Sequence, residues 1–404
     1  MSKDQNSKPA RVNLRTPEVM ERVQEEVERH YRSTLVEQIR ASGGSLKRGH
    51  TSIRLAKEFG FCYGVERAID LAYAARKVFP DNRLFLVGEI IHNPDVNEHM
   101  ASMGIEKIGP GGVSLDVLDK DDVVILPAFG AEIKTIERIR ERGCRIVDTT
   151  CGDVMSVWRR VRQNAREGVT SIIHGKPEHE ETRATASRAA EDSHPGHYLV
   201  VLNLEETDRV CRYMTEGGDR EEFLHFFAGA CSEGFDPDLH LHKVGVANQT
   251  TMLRSETEEV QRRIREAVAA RDAGSTGNFR FFDTICGATQ DRQDALFHLL
   301  SGPLDILLVV GGYNSSNTTH LVEIGEKRVP TYFVRDVARL ESEEQIRHFD
   351  IHKKQEIVSR PWLPSGGEIT VGITAGASCP NNLIEEIIHR IFTLRHEATP
   401  QTSG

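Results

Sequence analysis

Seven cysteines pose the first chemical question, since a thiol can pack, pair, attack or bind a soft metal. An odd number scattered over 404 residues does not read as a disulfide framework. Three of them share a context. Cys62, Cys151 and Cys286 each fall in the turn of a strand–turn–helix unit, from Leu55 to Arg76, Arg145 to Arg166 and Phe279 to Leu300. The last two units repeat locally, as Asp148-Thr149-Thr150-Cys151-Gly152 and Asp283-Thr284-Ile285-Cys286-Gly287. Thiolates gathered at helix N-termini are expected to have depressed pKa values and to repel one another unless a cation joins them. Zinc and an iron–sulfur cluster are the soft-metal candidates. Three protein ligands rather than four would leave an open position, as a catalytic metal requires. Buried inert thiols are the plain alternative, and spacing alone does not decide.

A second kind of unit follows each cysteine unit and ends its strand in a polar loop. Leu84 to Gly88 leads to His92-Asn93, Ser171 to Gly175 leads to His179-Glu180-Glu181, and Ile306 to Gly312 leads to Asn314-Ser315-Ser316-Asn317. A third kind comes next: Val123 to Gly130, Val244 to Thr251, and Ile369 to Ser378. In parallel α/β sheets ligands bind outside the carboxyl ends of the strands, where helix N-termini offer unpaired N–H groups to an anion. His92, His179, Ser315, Asn317, Thr250 and Ser378 are short neutral or imidazole donors on such turns, and no Walker-type lysine accompanies them. That inventory suits a small phosphorylated ligand better than a nucleoside triphosphate. No G-x-G-x-x-G follows a strand, so direct dinucleotide binding is not indicated.

The ordered recurrence of the three kinds predicts an α/β fold of three related parallel-sheet modules about a common centre. The expected divisions are an N-terminal helical arm (1–50), modules at 51–149, 150–281 and 282–391 carrying Cys62, Cys151 and Cys286, and a tail (392–404). The middle module carries extra length between Tyr198 and Lys243. In the arm, Thr16-Pro17-Glu18 is a helix start. Val19, Val23, Val27, Tyr31, Leu35 and Ile39 then predict one amphipathic helix, ended by Gly43-Gly44 and docked on the body or on a second subunit. A homodimer is therefore an open outcome. With 51 basic against 61 acidic residues the net charge is −10, which argues against non-specific nucleic-acid binding. The run Ile306-Leu307-Leu308-Val309-Val310 is far too short to span a bilayer. The start Met1-Ser2-Lys3-Asp4-Gln5 lacks an apolar signal region, so a cytoplasmic protein is expected.

The motifs Gly60-Phe61-Cys62-Tyr63-Gly64-Val65-Glu66-Arg67-Ala68, Glu89-Ile90-Ile91-His92-Asn93-Pro94, His174-Gly175-Lys176 with His179-Glu180-Glu181-Thr182, Asn248-Gln249-Thr250-Thr251-Met252, Gly311 to Thr318 and Thr374 to Ser378 carry a resemblance. In that order, from about Ser52 to Ile391, they resemble the 4-hydroxy-3-methylbut-2-enyl diphosphate reductases, above all the long cyanobacterial and plastid form. The resemblance implies two-electron removal of an allylic hydroxyl, giving isopentenyl and dimethylallyl diphosphates, the last step of non-mevalonate isoprenoid synthesis. It implies three modules in pseudo-threefold arrangement around one 4Fe–4S cluster, with Cys62, Cys151 and Cys286 each binding an iron. Zinc becomes the poorer choice because it supplies no electrons. Glu181 matches the proton donor and Thr250 the residue that relays or orients that proton. His92, His179, Ser315, Asn317 and Ser378 match diphosphate contacts, with Ser316 and Gln249 as neighbours. The electron donor implied is a ferredoxin or flavodoxin, for which Arg159, Arg160, Arg162 and Arg166 offer a patch or simply a solvated helix face.

Some residues depart from the pattern. Phe129 stands where the short bacterial form has a diphosphate-contacting histidine, Gly152 where proline is more usual, and Cys379 where no thiol is expected. Cys379 reads as a free thiol before Pro380. Cys144 and Cys211 read as ordinary thiols, and Cys231 with His240 and His242 matches no firm metal template. Gly311-Gly312 would permit the modules to close over a ligand. Two other classes compete with the reductase: a metal-dependent hydratase or hydrolase, and an iron–sulfur or phosphate sensor without turnover.

Overall fold

The computed structural model describes residues 14–190, 196–282 and 284–399, so Asp283 of the local repeat and both chain ends lie outside the described residues. The arm forms α1 (Pro17–Tyr31) and α2 (Thr34–Ala41). The body then runs β1 (Ser45–Arg48), β2 (Thr51–Leu55), α3 (Tyr63–Val78), β3 (Leu84–Val87), α4 (Pro94–Ser102), β4 (Ile105–Ile108), β5 (Val123–Leu126), α5 (Ile133–Glu141) and β6 (Arg145–Asp148). It continues through α6 (Gly152–Arg166), β7 (Thr170–His174), α7 (Glu180–Ser187), β8 (Tyr198–Val201), α8 (Leu204–Glu216), α9 (Arg220–Phe226), α10 (Pro237–His240), β9 (Val244–Asn248), α11 (Arg254–Arg271) and β10 (Phe279–Phe281). Last come α12 (Gly287–Leu300), β11 (Ile306–Val310), α13 (Ser316–Glu326), β12 (Thr331–Val334), the hairpin β13 (Ile346–Asp350) and β14 (Gln355–Ser359), β15 (Ile369–Ala375) and α14 (Asn381–Leu394).

Three main sheets result, and their strand orders are the same in kind. They run β4-β3-β5-β6, β8-β7-β9-β10 and β12-β11-β15-β2, with β1 added at the edge of the third. In each, the polar-loop strand lies beside the third-kind strand, which in turn lies beside a strand leading to a cysteine. All pairings within these orders are parallel; only β1 joins antiparallel. Continuous apolar runs make this possible. Every residue of β5, β7, β9 and β11 is buried, as expected of parallel strands covered by helices on both faces. The strand before Cys62, β2, pairs with β15, so the chain enters and finishes in one sheet. Sequence order hides that closure. The extra length of the middle unit folds as α8, α9 and α10.

The arm is not one helix. Arg32 and Ser33 are extended, and the Ser33 hydroxyl accepts the Val36 N–H at 2.9 Å to start α2. The every-fourth-residue apolar pattern from Val19 to Ile39 runs straight through this break, which is why the pattern predicts a single helix. The break has a packing reason. α1 buries Val23 and Tyr31 in the core around Ala68, Tyr73 and Leu86, whereas α2 buries Leu35, Val36 and Ile39 in the core of the third sheet. One straight helix could not serve both. Gly43 and Gly44, both at positive φ, end α2 as expected. Ser33→Ala removes the cap and should cost about 1 kcal/mol of local stability. Amide exchange across Thr34–Ile39 should then quicken about fivefold, and unchanged protection would show the cap to be idle.

Candidate active site

Each cysteine caps the helix that follows it: Cys62 on α3, Cys151 on α6 and Cys286 on α12. Each is also tied by its backbone N–H to a carbonyl two residues past the end of a third-kind strand. Cys151 donates to Ala128 at 2.8 Å, Cys286 to Thr250 at 3.3 Å and Cys62 to Ala377 at 3.3 Å. Neighbouring units are clamped in the same cyclic sense. Arg67 on α3 donates to the Thr149 and Thr150 carbonyls, Arg160 on α6 lies 4.7 Å over the Phe282 ring, and Arg292 on α12 donates to the Gly60 carbonyl. Arg160 thus makes a cation–π contact between units while remaining exposed.

The thiols converge. A Cβ at Gly64 would lie 2.7 Å from the Cys151 sulfur and 3.9 Å from that of Cys62, so only glycine lets the first turn of α3 approach. Burial pushes the Cys151 thiol up and the Cys286 thiol up to about 12, with the neighbouring Cys62 adding to both. Depressed pKa values were expected at helix N-termini. For these two thiols desolvation outweighs the helix dipole. The donor set fits a soft multivalent cation, which would replace the protons in a place lacking room for a Cβ.

Glu181 follows the His179 cap of α7, whose Nδ1 accepts the Glu181 N–H at 3.1 Å. Its side chain is 3% exposed. Thr250 grips both carboxyl oxygens, donating its N–H to Oε1 at 2.6 Å and its hydroxyl to Oε2 at 2.9 Å. Those bonds favour the ionised form, yet burial wins and raises the pKa to about 7. Thr250 thus joins the acid to the Cys286 turn, through its own carbonyl.

His92 stacks on Phe129 with centroids 4.6 Å apart and meets His179 edge-on at 5.0 Å. Its Nδ1 faces Glu89 at 3.2 Å, and Asn314 bonds to the same carboxylate at 2.8 Å. The Nε2 atoms of His92 and His179 are buried without a hydrogen-bond partner, as is the Ser316 hydroxyl. Such orphaned groups mark a place for a polar ligand. Glu180 completes a group with both imidazoles whose ligand atoms lie within 4.8 Å of one another. Burial holds the pKa of His179 well below the usual imidazole value, so the ring is neutral.

The α13 turn comes to the same place. Gly312 lies so close to the His92 carbonyl that a Cβ would be 2.4 Å from it, and the Ser378 hydroxyl donates to that carbonyl at 3.1 Å. Ser315 caps α13 by accepting the Thr318 N–H, so its hydroxyl already has work within its own helix. Asn317 Oδ1 accepts the Ala377 N–H at 3.0 Å, and its Nδ2 lies 3.5 Å from the Thr289 hydroxyl. Gln249 is spent on the backbone N–H of Lys176 and the hydroxyls of Thr182 and Thr251. Cys379 is a free thiol, as expected, and is buried in the core of the third sheet. Among the described residues, Cys231, His240 and His242 form no metal-type group. Glu89 and Asn314, which orient His92, and Thr289, beside Cys286, were not singled out from sequence.

Fold and site together define a three-sheet α/β protein with a thiol centre beside a buried acid and a cluster of buried, unpartnered polar groups. The chain belongs to the LytB protein family, whose pattern matches residues 53–392. It is 48% identical over 382 residues to the 4-hydroxy-3-methylbut-2-enyl diphosphate reductase of Gloeobacter violaceus, covering 92% of this chain and 90% of that one. Against the protein of the same name from a Synechococcus strain it is 47% identical, covering 91% and 92%. The solved structure of (E)-4-hydroxy-3-methyl-but-2-enyl diphosphate reductase, described as the terminal enzyme of the non-mevalonate pathway, aligns with TM-score 0.52 at 26% identity, over 85% of this chain and all of the other. A Plasmodium falciparum structure shares the fold, with TM-score 0.63 at 21% identity over 87% of this chain and 94% of that one.

The buried acid makes stability depend on pH. Below about pH 4.5 both folded and unfolded Glu181 carry a proton, and the stability of the buried neutral acid is fully present. Between there and its folded pKa of about 7 the unfolded chain ionises first, so stability falls as pH rises. Denaturation of wild type and Glu181→Gln from about pH 5 to about pH 8 should show wild type losing stability relative to the variant. Parallel curves would contradict the shift.

Proposed function

We propose that this chain is a reductase that converts 4-hydroxy-3-methylbut-2-enyl diphosphate to isopentenyl and dimethylallyl diphosphates. The balance is two electrons and two protons taken up, with the hydroxyl leaving as water. One observation carries the reading: a buried carboxyl that keeps its proton near neutral pH, bound by a threonine that also holds a cysteine turn. Cys62, Cys151 and Cys286 would hold one 4Fe–4S cluster, which when bound supplies electrons one at a time. Glu181 holds the proton on a carboxyl oxygen and delivers it to the departing hydroxyl as a general acid. Thr250 fixes the carboxyl orientation through two bonds and leaves the acid shielded from water. The orphaned ring nitrogens of His92 and His179 and the Ser316 hydroxyl suit diphosphate oxygens. Asn317 and Ser378 set the loops beside them, and Ser315 would reach the anion only by sharing its cap bond.

The wider architecture follows the same reading: three modules at 51–149, 150–281 and 282–391 in pseudo-threefold arrangement, with β1 and β2 lent to the sheet of the third, an arm at 1–50 and a tail at 392–404. A cytoplasmic setting with ferredoxin or flavodoxin as donor goes with it, as does a homodimer. Among the described residues, no helix is long and apolar enough to cross a membrane.

Two experiments test the proposal. Anaerobically purified protein should contain iron and sulfide, and replacing any one of the three cysteines by serine should abolish the cluster. Retention in all three variants would refute the ligand set. Glu181→Gln should keep the cluster and lower kcat by about a hundred- to ten-thousand-fold. Wild-type kcat/KM should fall as pH rises above about 7, because the free enzyme then loses the acid. A Gln variant with full turnover would favour a sensor instead.

A further inference from the structure

The three cysteine turns are equivalent in backbone and unequal in one side chain. The third residue after each cysteine, in the first turn of its helix, is Val65, Val154 or Thr289. Valine and threonine have nearly the same shape, and the difference is a hydroxyl. That hydroxyl lies 3.0 Å from the Cys286 sulfur, with the Thr289 N–H at 3.3 Å from the same atom. Among the described residues, neither Cys62 nor Cys151 takes a hydrogen bond from a side-chain hydroxyl, although the backbone N–H groups of Asp153 and Val154 reach the Cys151 sulfur. Thr289 is 1% exposed, so water does not compete.

Its proton has a defined direction. The Asn317 amide donates to the Thr289 oxygen at 3.5 Å, and a metal-ligating sulfur can only accept. With Cys286 bound to a metal, the hydroxyl proton would therefore point at its sulfur. We propose that Thr289 is a positioning residue that donates to the Cys286 sulfur and raises the reduction potential of the cluster held there. This rests on the cluster assignment made above. The physical cause is that reduction adds negative charge to the sulfurs, and a donor fixed on one of them stabilises the reduced state more than the oxidised one. The hydroxyl also places one protein atom between the sulfur and Asn317, on the turn that lines the anion pocket.

The test uses the loaded holoenzyme, titrated anaerobically and followed by absorbance and electron paramagnetic resonance. Thr289→Val, which gives the third turn the side chain of the other two, should bind iron and sulfide normally and show a lower midpoint potential. Thr289→Ser, which keeps the hydroxyl, should restore the wild-type value. An unchanged potential in Thr289→Val overturns the proposal. So does a Thr289→Ser protein with the Val variant's potential, since packing would then be the cause. Should Thr289→Val fail to load, Val154→Thr decides: a raised potential supports a hydroxyl effect at this helix position, and an unshifted one overturns it. Wild type without iron and sulfide after reconstitution would instead remove the cluster assignment itself, a distinct failure.

Discussion

The site depends on one repeated constraint, the hydrogen bond from each cysteine amide to a carbonyl two residues beyond a strand end. A turn joining a strand to a helix can take many shapes, and this bond selects one. It fixes where the helix starts, and with it where the sulfur sits and which way the free N–H groups point. Because the acceptor lies two residues past the end of the adjacent strand of the same sheet, each thiol is held close to the rigid β core. Arg67, Arg160 and Arg292 then tie each unit to the next, so the position of one sulfur constrains the others. The missing Cβ at Gly64 is the steric counterpart of that network.

The same bond passes through Thr250 to the acid. Two hydrogen bonds to a carboxylate lower its pKa, and complete burial raises it; here burial prevails by enough to leave the proton near neutrality. An exposed Glu181 would ionise and cease to be an acid at pH 7. A buried one without Thr250 would be poorly oriented. Geometry and protonation state are therefore set by different residues.

Much of this was legible in the chain. The three kinds of unit, their order and the cysteine turns could be read because buried parallel strands leave continuous apolar runs followed by polar turns, as in Ile306 to Val310 before Asn314. The families of contacts within turns could not. Ser315 and Gln249 have the right chemistry for a ligand and are engaged by Thr318, Thr182 and Thr251, which periodicity does not reveal. The arm's break at Arg32-Ser33 was hidden because the apolar phase continues across it. The pairing of β2 with β15 was hidden for a different reason: it joins residues at opposite ends of the chain. Thr289 left a signal that went unread, the single polar residue at a position that is valine in the other two units.

Phe129 has an organising role beside His92. A phenyl ring cannot bond to a phosphate oxygen, but stacked on His92 it restrains the imidazole plane while Glu89 and Asn314 crowd its Nδ1. What remains for a ligand is Nε2, in a fixed direction. His179, kept neutral by burial, adds a second ring nitrogen. On the proposed reading, with a glutamate 3.7 Å from His92 Nε2, the site would not hold its anion by net positive charge. It must rely on the direction of its donors, and direction is what the packed rings, the Asn317 bond to Ala377 and the Ser378 bond to the His92 carbonyl supply.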